Sequence, residues 1–355
     1  MSDLDLLIKK HRTLDFLVEK ADRTQFLSDW NCTHPYYKKE FVNKNPGSDK
    51  IQKYNYIRAE DNLTQLISDF HQKSENTFYN LEEIVTGHGS TTIISALFIW
   101  LSLNKVREVY YIPPVYYTFT YFSKLYGISL RPITKSHLFE KDYSLNLPEK
   151  KAILLMTDPI WYAGISVPAS VYKSLKKWQK ATGSMIIIDG SFQYFKWDDS
   201  KYEYSSQLEK LQTLRLVCPT KSIATHGFRF SYLLVPPDKY DLFDYILDNI
   251  SGSSTIQDIL CAEKCMGILL SAKSNSKLIA YAKGHFQKLL KKNVIEKTVK
   301  PDCGYFVFGK LNGNYAGRFR VMNGQYFEQK NYPGYVRINL LSSCVQKLSR
   351  SLNTD

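Results

Sequence analysis

The sequence predicts an α/β fold: a mostly parallel, doubly wound sheet over residues 51–250, with a smaller α+β domain from residues 251–355 and an N-terminal arm, 1–50, that helps complete it. Three observations predict this. Ala152–Thr157 (AILLMT) and Met185–Asp189 (MIIID) are short unbroken apolar runs, as expected of strands covered on both faces. A helix-period stretch, Ala169–Thr182, separates them, giving the strand–helix–strand order of a parallel sheet. Past residue 250 the alternation stops, and two helical stretches precede two strand-like runs.

The elements follow in order. The opening MSDLDLLIKKHRTLDFLVEK has helical apolar spacing and lacks the basic–apolar–small layout of a signal peptide. Ser90–Asn104 (STTIISALFIWLSLN) is apolar at helical spacing behind capping residues. Glu108–Ile112 reads as a strand, Thr118–Tyr126 as a helix, and Ile128–Pro132 as a strand. Leu214–Cys218 and Tyr232–Val235 are further strands of the large sheet. In the smaller domain, Thr255–Ser271 and Lys277–Lys292 are helical, and Tyr305–Phe308 and Tyr335–Leu340 are strands.

Composition narrows the class. With 44% hydrophobic residues over 355 positions the chain can bury a sizeable core, so disorder is not the default. No apolar run reaches the ~20 residues of a membrane span. A cytoplasmic protein with reduced thiols is expected. Cys261 and Cys265 lie i, i+4 on a helix, but no His or second cysteine pair accompanies them, so no metal site is expected. The net charge of +13 is spread along the chain. Its densest clusters (Lys173, Lys176, Lys177 and Lys180, then Lys288, Lys291 and Lys292) fall in helical stretches and read as solvated faces. Neither a nucleic-acid nor a membrane partner is expected, whereas a phosphate-bearing ligand would benefit from the positive field.

Ligands of parallel sheets bind at the carboxyl ends of the strands, and the polar residues there are few. Gly87-His88-Gly89-Ser90-Thr91-Thr92 precedes a helix, offering backbone N–H groups and hydroxyls to a phosphate; a glycine turn with an N-cap explains it equally well. Asp189 ends an apolar strand, where a lone carboxylate is costly without a positive partner. Lys221 follows Leu214–Cys218, and Arg229 comes eight residues later, past Gly227. Arg337 sits inside YVRINL, where an unpaired guanidinium would be expensive. Singly, each fits a structural ion pair.

Taken in order, these segments resemble the fold-type-I pyridoxal-phosphate enzymes, the class I and II aminotransferases. GHGSTT is similar to the family's phosphate-binding turn, PPVYYTFTYF to its P-x-Y-x-x-aromatic segment, and TDPIWYAG to N-P-x-N-P-T-G. IIIDGSFQYF resembles the strand ending D-x-x-Y, and CPTKSIATHGFR the S-x-S-K…G-x-R segment. PDCGYFVF and YPGYVRINL resemble two strands of the small domain, and the length resembles the histidinol-phosphate aminotransferase branch. The resemblance implies that Lys221 holds pyridoxal 5'-phosphate as a Schiff base while Asp189 pairs with the pyridine nitrogen. It implies that Gly89, Ser90, Thr91 and Arg229 hold the phosphate, with Cys218 and Thr220 as additional contacts. Tyr116 would stack on the ring, and Tyr54 would reach the phosphate across a homodimer interface. Arg337 would grip the carboxylate of an amino-acid substrate through a bidentate fork.

Three positions depart from the family pattern. Trp161 and Phe192 stand where the family has an asparagine and a tyrosine that donate to the cofactor's phenolic oxygen, and Asp158 replaces the first asparagine. Phe192 has no donor, and Trp161 has only its indole N–H, so the Schiff base is expected to stay protonated to higher pH. Tyr162 or Tyr194, one or two positions away, could restore a donor. The expected activity is amino transfer between an amino acid and a 2-oxo acid or aldehyde. A lyase or decarboxylase on the same scaffold is the alternative, and a non-catalytic regulator is less favoured.

Overall fold

The computed structural model describes residues 22–29, 61–134, 144–198, 203–252, 254–271, 273–327 and 332–352, with positions 6, 9, 13, 33 and 35. The amphipathic opening helix and Tyr54 therefore fall largely or wholly outside the described residues, although positions 6, 9 and 13 are helical.

Seven strands form the large sheet: β1 (Ile84–Gly87), β2 (Glu108–Tyr111), β3 (Ser129–Pro132), β4 (Ile153–Thr157), β5 (Met185–Gly190), β6 (Thr213–Val217) and β7 (Ser231–Leu234). Their spatial order is β1-β7-β6-β5-β4-β2-β3. The run from β6 to β3 is parallel throughout. β7 is the exception, antiparallel to both β1 and β6. Its four residues, SYLL, are all buried, and such a short buried run carries no signal of strand direction. The reversal has a geometric result: β7 begins at the edge where β1 and β6 end, since Ser231 faces Gly87 and Tyr232 faces Val217. Lys221, leaving β6, and Arg229, entering β7, are thereby placed at one edge.

Both faces are covered, which is why the strands read as unbroken apolar runs. Ile187 points into a core with α2 (Ser90–Leu103) and α6 (Tyr240–Ser251), where Leu97, Phe98, Phe243 and Leu247 are buried. Ile186 and Ile188 point the other way, onto Val171, Tyr172, Leu175 and Trp178 of α4 (Ala169–Thr182). On α4 those buried residues form one stripe, while Lys173, Lys177 and Lys180 are exposed on the other face. Gly183 ends α4 in the left-handed region at φ 67°, donating its N–H to the Gln179 carbonyl at 2.8 Å. At the β1–β7 side, α1 (Asp61–Glu75) and α7 (Ile256–Ser271) complete a further core around Ile84, Tyr232 and Leu234. Between β2 and β3 lies α3 (Tyr117–Leu125), and between β6 and β7 the four-residue α5 (Pro219–Ser222).

A second sheet, order β10-β11-β9-β8, is antiparallel: β8 (Ile295–Thr298), β9 (Phe306–Leu311), β10 (Met322–Asn323) and β11 (Tyr335–Asn339). It packs with α8 (Lys273–Lys291) and α9 (Ser343–Ser351). The N-terminal segment joins it. Phe26 bridges to Arg320, and the Leu27 carbonyl accepts the Asn339 N–H at 2.8 Å. Among the described residues no helix is long and apolar enough to cross a membrane.

Candidate active site

The carboxyl edge of the large sheet gathers the polar residues that the sequence singles out. β1 ends at Gly87, and α2 starts at Ser90. Gly89, its N-cap, sits at φ 82° and ψ 164°, a region open essentially to glycine alone. Space gives a second reason for glycine there. A Cβ on residue 89 would stand 2.8 Å from Nη2 and 2.9 Å from Cζ of Arg229. The guanidinium thus packs against the N-cap of α2, a helix end whose dipole favours an anion. Arg229 and Thr91 are exposed, and Ser90 is buried.

Lys221 joins the same cluster. It occupies α5, and its Nζ donates to Ser90 Oγ at 3.2 Å. Ring faces flank the amine, with Phe192 4.9 Å and Tyr116 5.7 Å from Nζ. Burial holds the Tyr116 phenol well above its usual range, and the neighbouring Tyr117 adds to this. Asp189, near the end of β5, is buried and receives the Ser191 N–H at 3.1 Å on Oδ1. On either side of it, Thr157 Oγ1 and Ser191 Oγ are buried with no hydrogen-bond partner among the described residues. Cys218 and Thr220 approach the Phe230 carbonyl, at 3.4 and 3.3 Å, and each other at 3.5 Å.

Arg337 lies on β11, opposite Phe308 and Met322, and is wholly buried. Its Nη2 donates to the Ser28 carbonyl at 2.7 Å. Three rings surround the guanidinium: Phe306 at 4.8 Å, Trp161 at 5.6 Å and Phe327 at 5.6 Å. Two lines of aromatic contact then join it to the lysine. One runs through Trp161 and Tyr116, 5.2 Å apart, and the other through Phe306 and Phe192, 5.6 Å apart.

The departures from the family pattern also find their places. The Tyr194 hydroxyl donates to Glu75 Oε1 at 2.7 Å inside a buried network, so it is engaged away from this edge. Tyr162 stacks on Phe327 at 4.6 Å. Asp158 accepts from Tyr172 Oη at 2.5 Å and from the Val167 N–H at 2.8 Å; burial raises its carboxyl above the usual range. Sequence reasoning missed Gly164, Ser28 and Tyr305. At Gly164, φ is 62°, and a Cβ would fall 2.4 Å from both the Cys303 and the Phe306 carbonyl oxygens. Gly164 and Tyr305 stand inside segments that carry the family resemblance, yet only their distant contacts reveal them.

A lysine amine thus lies beside a hydroxyl-bearing helix start against which a guanidinium packs, with a buried carboxylate on the adjacent strand, an arrangement able to bind an anion next to an amine. The chain belongs to the aminotransferase class I and II family, whose model matches residues 38–344. Family members are generally pyridoxal-phosphate-dependent transferases acting on small-molecule amino acids, and aminotransfer is the activity; a lyase or decarboxylase is not favoured. No curated protein matches the chain. Among solved structures, substrate-bound BacF from Bacillus subtilis superposes with a TM-score of 0.77 at 16% identity, covering 100% of this chain and 98% of that one. YbdL from Escherichia coli, described as having a methionine aminotransferase function, gives 0.74 at 13% identity over 97% and 96%. The aspartate aminotransferase from Thermotoga maritima gives 0.73 at 16% identity over 99% and 100%. At such identities these likenesses speak to the fold alone.

Proposed function

We propose that this edge holds pyridoxal 5'-phosphate through Lys221 and that Arg337 receives the substrate's carboxylate. The observation that carries the reading is the Lys221–Ser90 contact at 3.2 Å, next to Gly89, against which the Arg229 guanidinium packs. The residues fit the group. The bare Gly89 leaves room for an anion where a Cβ would block it, and the buried Thr157 and Ser191 hydroxyls have hydrogen-bonding capacity to spare.

When bound, the cofactor supplies a carbonyl to carry the amino group and a ring that accepts electrons from the substrate's Cα. The protein's residues do the rest. Ser90, Thr91, the α2 N–H groups and Arg229 would hold the phosphate, and Asp189 would keep the pyridine nitrogen protonated. Tyr116 would lie against the ring. Lys221 would bond the cofactor and, once displaced by substrate, carry the proton between Cα and the cofactor carbon. Arg337, fixed by Ser28 and three rings, would orient the substrate through its carboxylate. Cys218 and Thr220 would give secondary support to the phosphate. Trp161 and Phe192 would shape the far side of the ring without the donor pair usual in the family.

A homodimer in which Tyr54 reaches the partner's phosphate, and a cytoplasmic location, complete the proposal. The free thiols of Cys218, Cys261, Cys265, Cys303 and Cys344 suit a reducing compartment. The test is the absorbance spectrum with added pyridoxal phosphate, for wild type and Lys221→Ala, followed by an amino-acid panel. Wild type should show a visible band that an amino acid discharges. Lys221→Ala should lose the band and roughly 10²–10⁴-fold in kcat, the range for a positioned acid–base group. A band that persists unchanged in Lys221→Ala would overturn the assignment.

A further inference from the structure

The segment 301–306, which enters β9, runs back across the large sheet's carboxyl edge. Its Asp302 and Cys303 N–H groups donate to the Gly164 carbonyl at 2.9 and 3.1 Å, and Gly304 N–H to the Phe195 carbonyl at 2.7 Å. Those partners lie just beyond Trp161 and Phe192, so one segment grips two of the loops that shape the site. A side chain reaches the third loop. Tyr305, wholly buried, donates its hydroxyl to the Lys221 backbone carbonyl at 2.9 Å.

That carbonyl closes α5 and also accepts the Ala224 N–H at 3.1 Å. Ala224 has φ 55°, in the left-handed region that a Cβ disfavours. The turn after Lys221 is therefore strained, and it needs outside support to keep its shape. A carbonyl can only accept, so the Tyr305 proton is spent on Lys221. His226 Nε2 stands 2.5 Å from the same hydroxyl and must be its donor, which fixes the imidazole proton on Nε2. The Tyr305 ring also packs edge-on against Phe192, 5.8 Å away, and Phe192 is the ring 4.9 Å from the Lys221 amine.

We infer that Tyr305, backed by His226, is a positioning residue for Lys221: from the second sheet it pins the backbone from which the reactive amine extends. The inference rests on Lys221 being the cofactor-bearing lysine. A lysine side chain is long and freely rotating, so the amine's placement depends on its backbone anchor and the rings beside it.

Tyr305→Phe keeps the ring and removes only the hydroxyl. The expected result is a fall in kcat of about tenfold or more, with KM for the amino donor within about twofold, the pattern of a misplaced reacting group. In cofactor-free protein, the visible band on adding pyridoxal phosphate should form about tenfold more slowly, with the thermal midpoint near that of wild type. His226→Ala should show the same pattern more weakly, and His226→Gln, which retains an N–H donor, should recover part of the loss. Wild-type kcat and band formation in Tyr305→Phe would overturn the inference. So would a lowered thermal midpoint with kcat untouched, which is the mark of a packing role alone. If Tyr305→Phe does not fold, the His226 pair decides: equal behaviour of Ala and Gln overturns the positioning role, and recovery by Gln supports it. Retention of the band by Lys221→Ala would instead sink the underlying assignment of the lysine.

Discussion

Two clusters of polar groups border β6, and they are built on opposite plans. On the strand itself, Arg215, its middle residue, meets Glu75 through two bonds of 2.7 Å and Ser205 through one of 2.8 Å. Glu75 also takes His71 at 2.9 Å and Tyr194 at 2.7 Å, and the far nitrogen of His71 meets Tyr232 at 2.9 Å. Burial alone would raise the Glu75 carboxyl, but the Arg215 and His71 charges hold it far below the usual range. Every charge there has its counterpart inside the protein. Beyond the carboxyl end of β6, Lys221 meets one hydroxyl among the described residues, and Thr157 and Ser191 keep hydroxyls with no partner among them. The difference teaches why only the second cluster is a candidate for ligand binding: a closed network has nothing left to offer a ligand.

The sharpest way to break this comparison is Arg215→Ala. Removing one member of a buried pair leaves Glu75 charged in an apolar interior, so stability should fall by about 3–5 kcal/mol. Urea denaturation measures it. A loss under about 1 kcal/mol would show that the network is no structural keystone. At the candidate site, Gly89→Ala should cost roughly 1–3 kcal/mol of local strain, because an alanine must leave the glycine-only region or push Arg229 aside. The expected readout is a rise of about tenfold or more in the Kd for pyridoxal phosphate, with the folded protein otherwise preserved.

A third, smaller test sharpens the contrast. Glu203 is buried beside the network, receiving the Tyr194 N–H at 2.9 Å with Lys196 3.5 Å away. Burial pushes its carboxyl up to about 7 against the Lys196 charge, with Asp158 adding to the rise. A folded value above the unfolded 4.5 means that its contribution to stability is full below about pH 4.5 and is lost as pH rises through about 7. Wild type should therefore lose stability across this window relative to Glu203→Gln, with a slope difference of up to about 1.4 kcal/mol per pH unit. Parallel curves for the two proteins would count against the raised carboxyl.

The legible parts of the fold were those whose burial is uniform. α2, α4, β4 and β5 announce themselves because their apolar runs are long or strictly periodic. β1, β8 and the helices α1, α6 and α9 were not read from the pattern. β1 is four residues that merge into the glycine turn, and α9 is short and mostly polar. The site was legible to the extent that its residues sit close to strand ends in a fixed order: Gly89, Ser90, Asp189, Lys221 and Arg229. The Glu75–Arg215 network was not, since its partners stand 140 positions apart and neither carries a local signal. Tyr305 was invisible for the same reason. Nothing near it in the chain says that its hydroxyl meets residue 221.

The bond from Arg337 to the Ser28 carbonyl closes a loop of 309 residues. On a ribosome adding about 5–20 residues per second, Ser28 waits roughly 15–60 s before its partner is even made. The large sheet is under no such delay, because β7 ends at Leu234. A growing chain thus carries Lys221 and the Gly89 turn well before it carries Arg337. The two sides of the candidate site are contributed by parts of the protein that come into existence at different times.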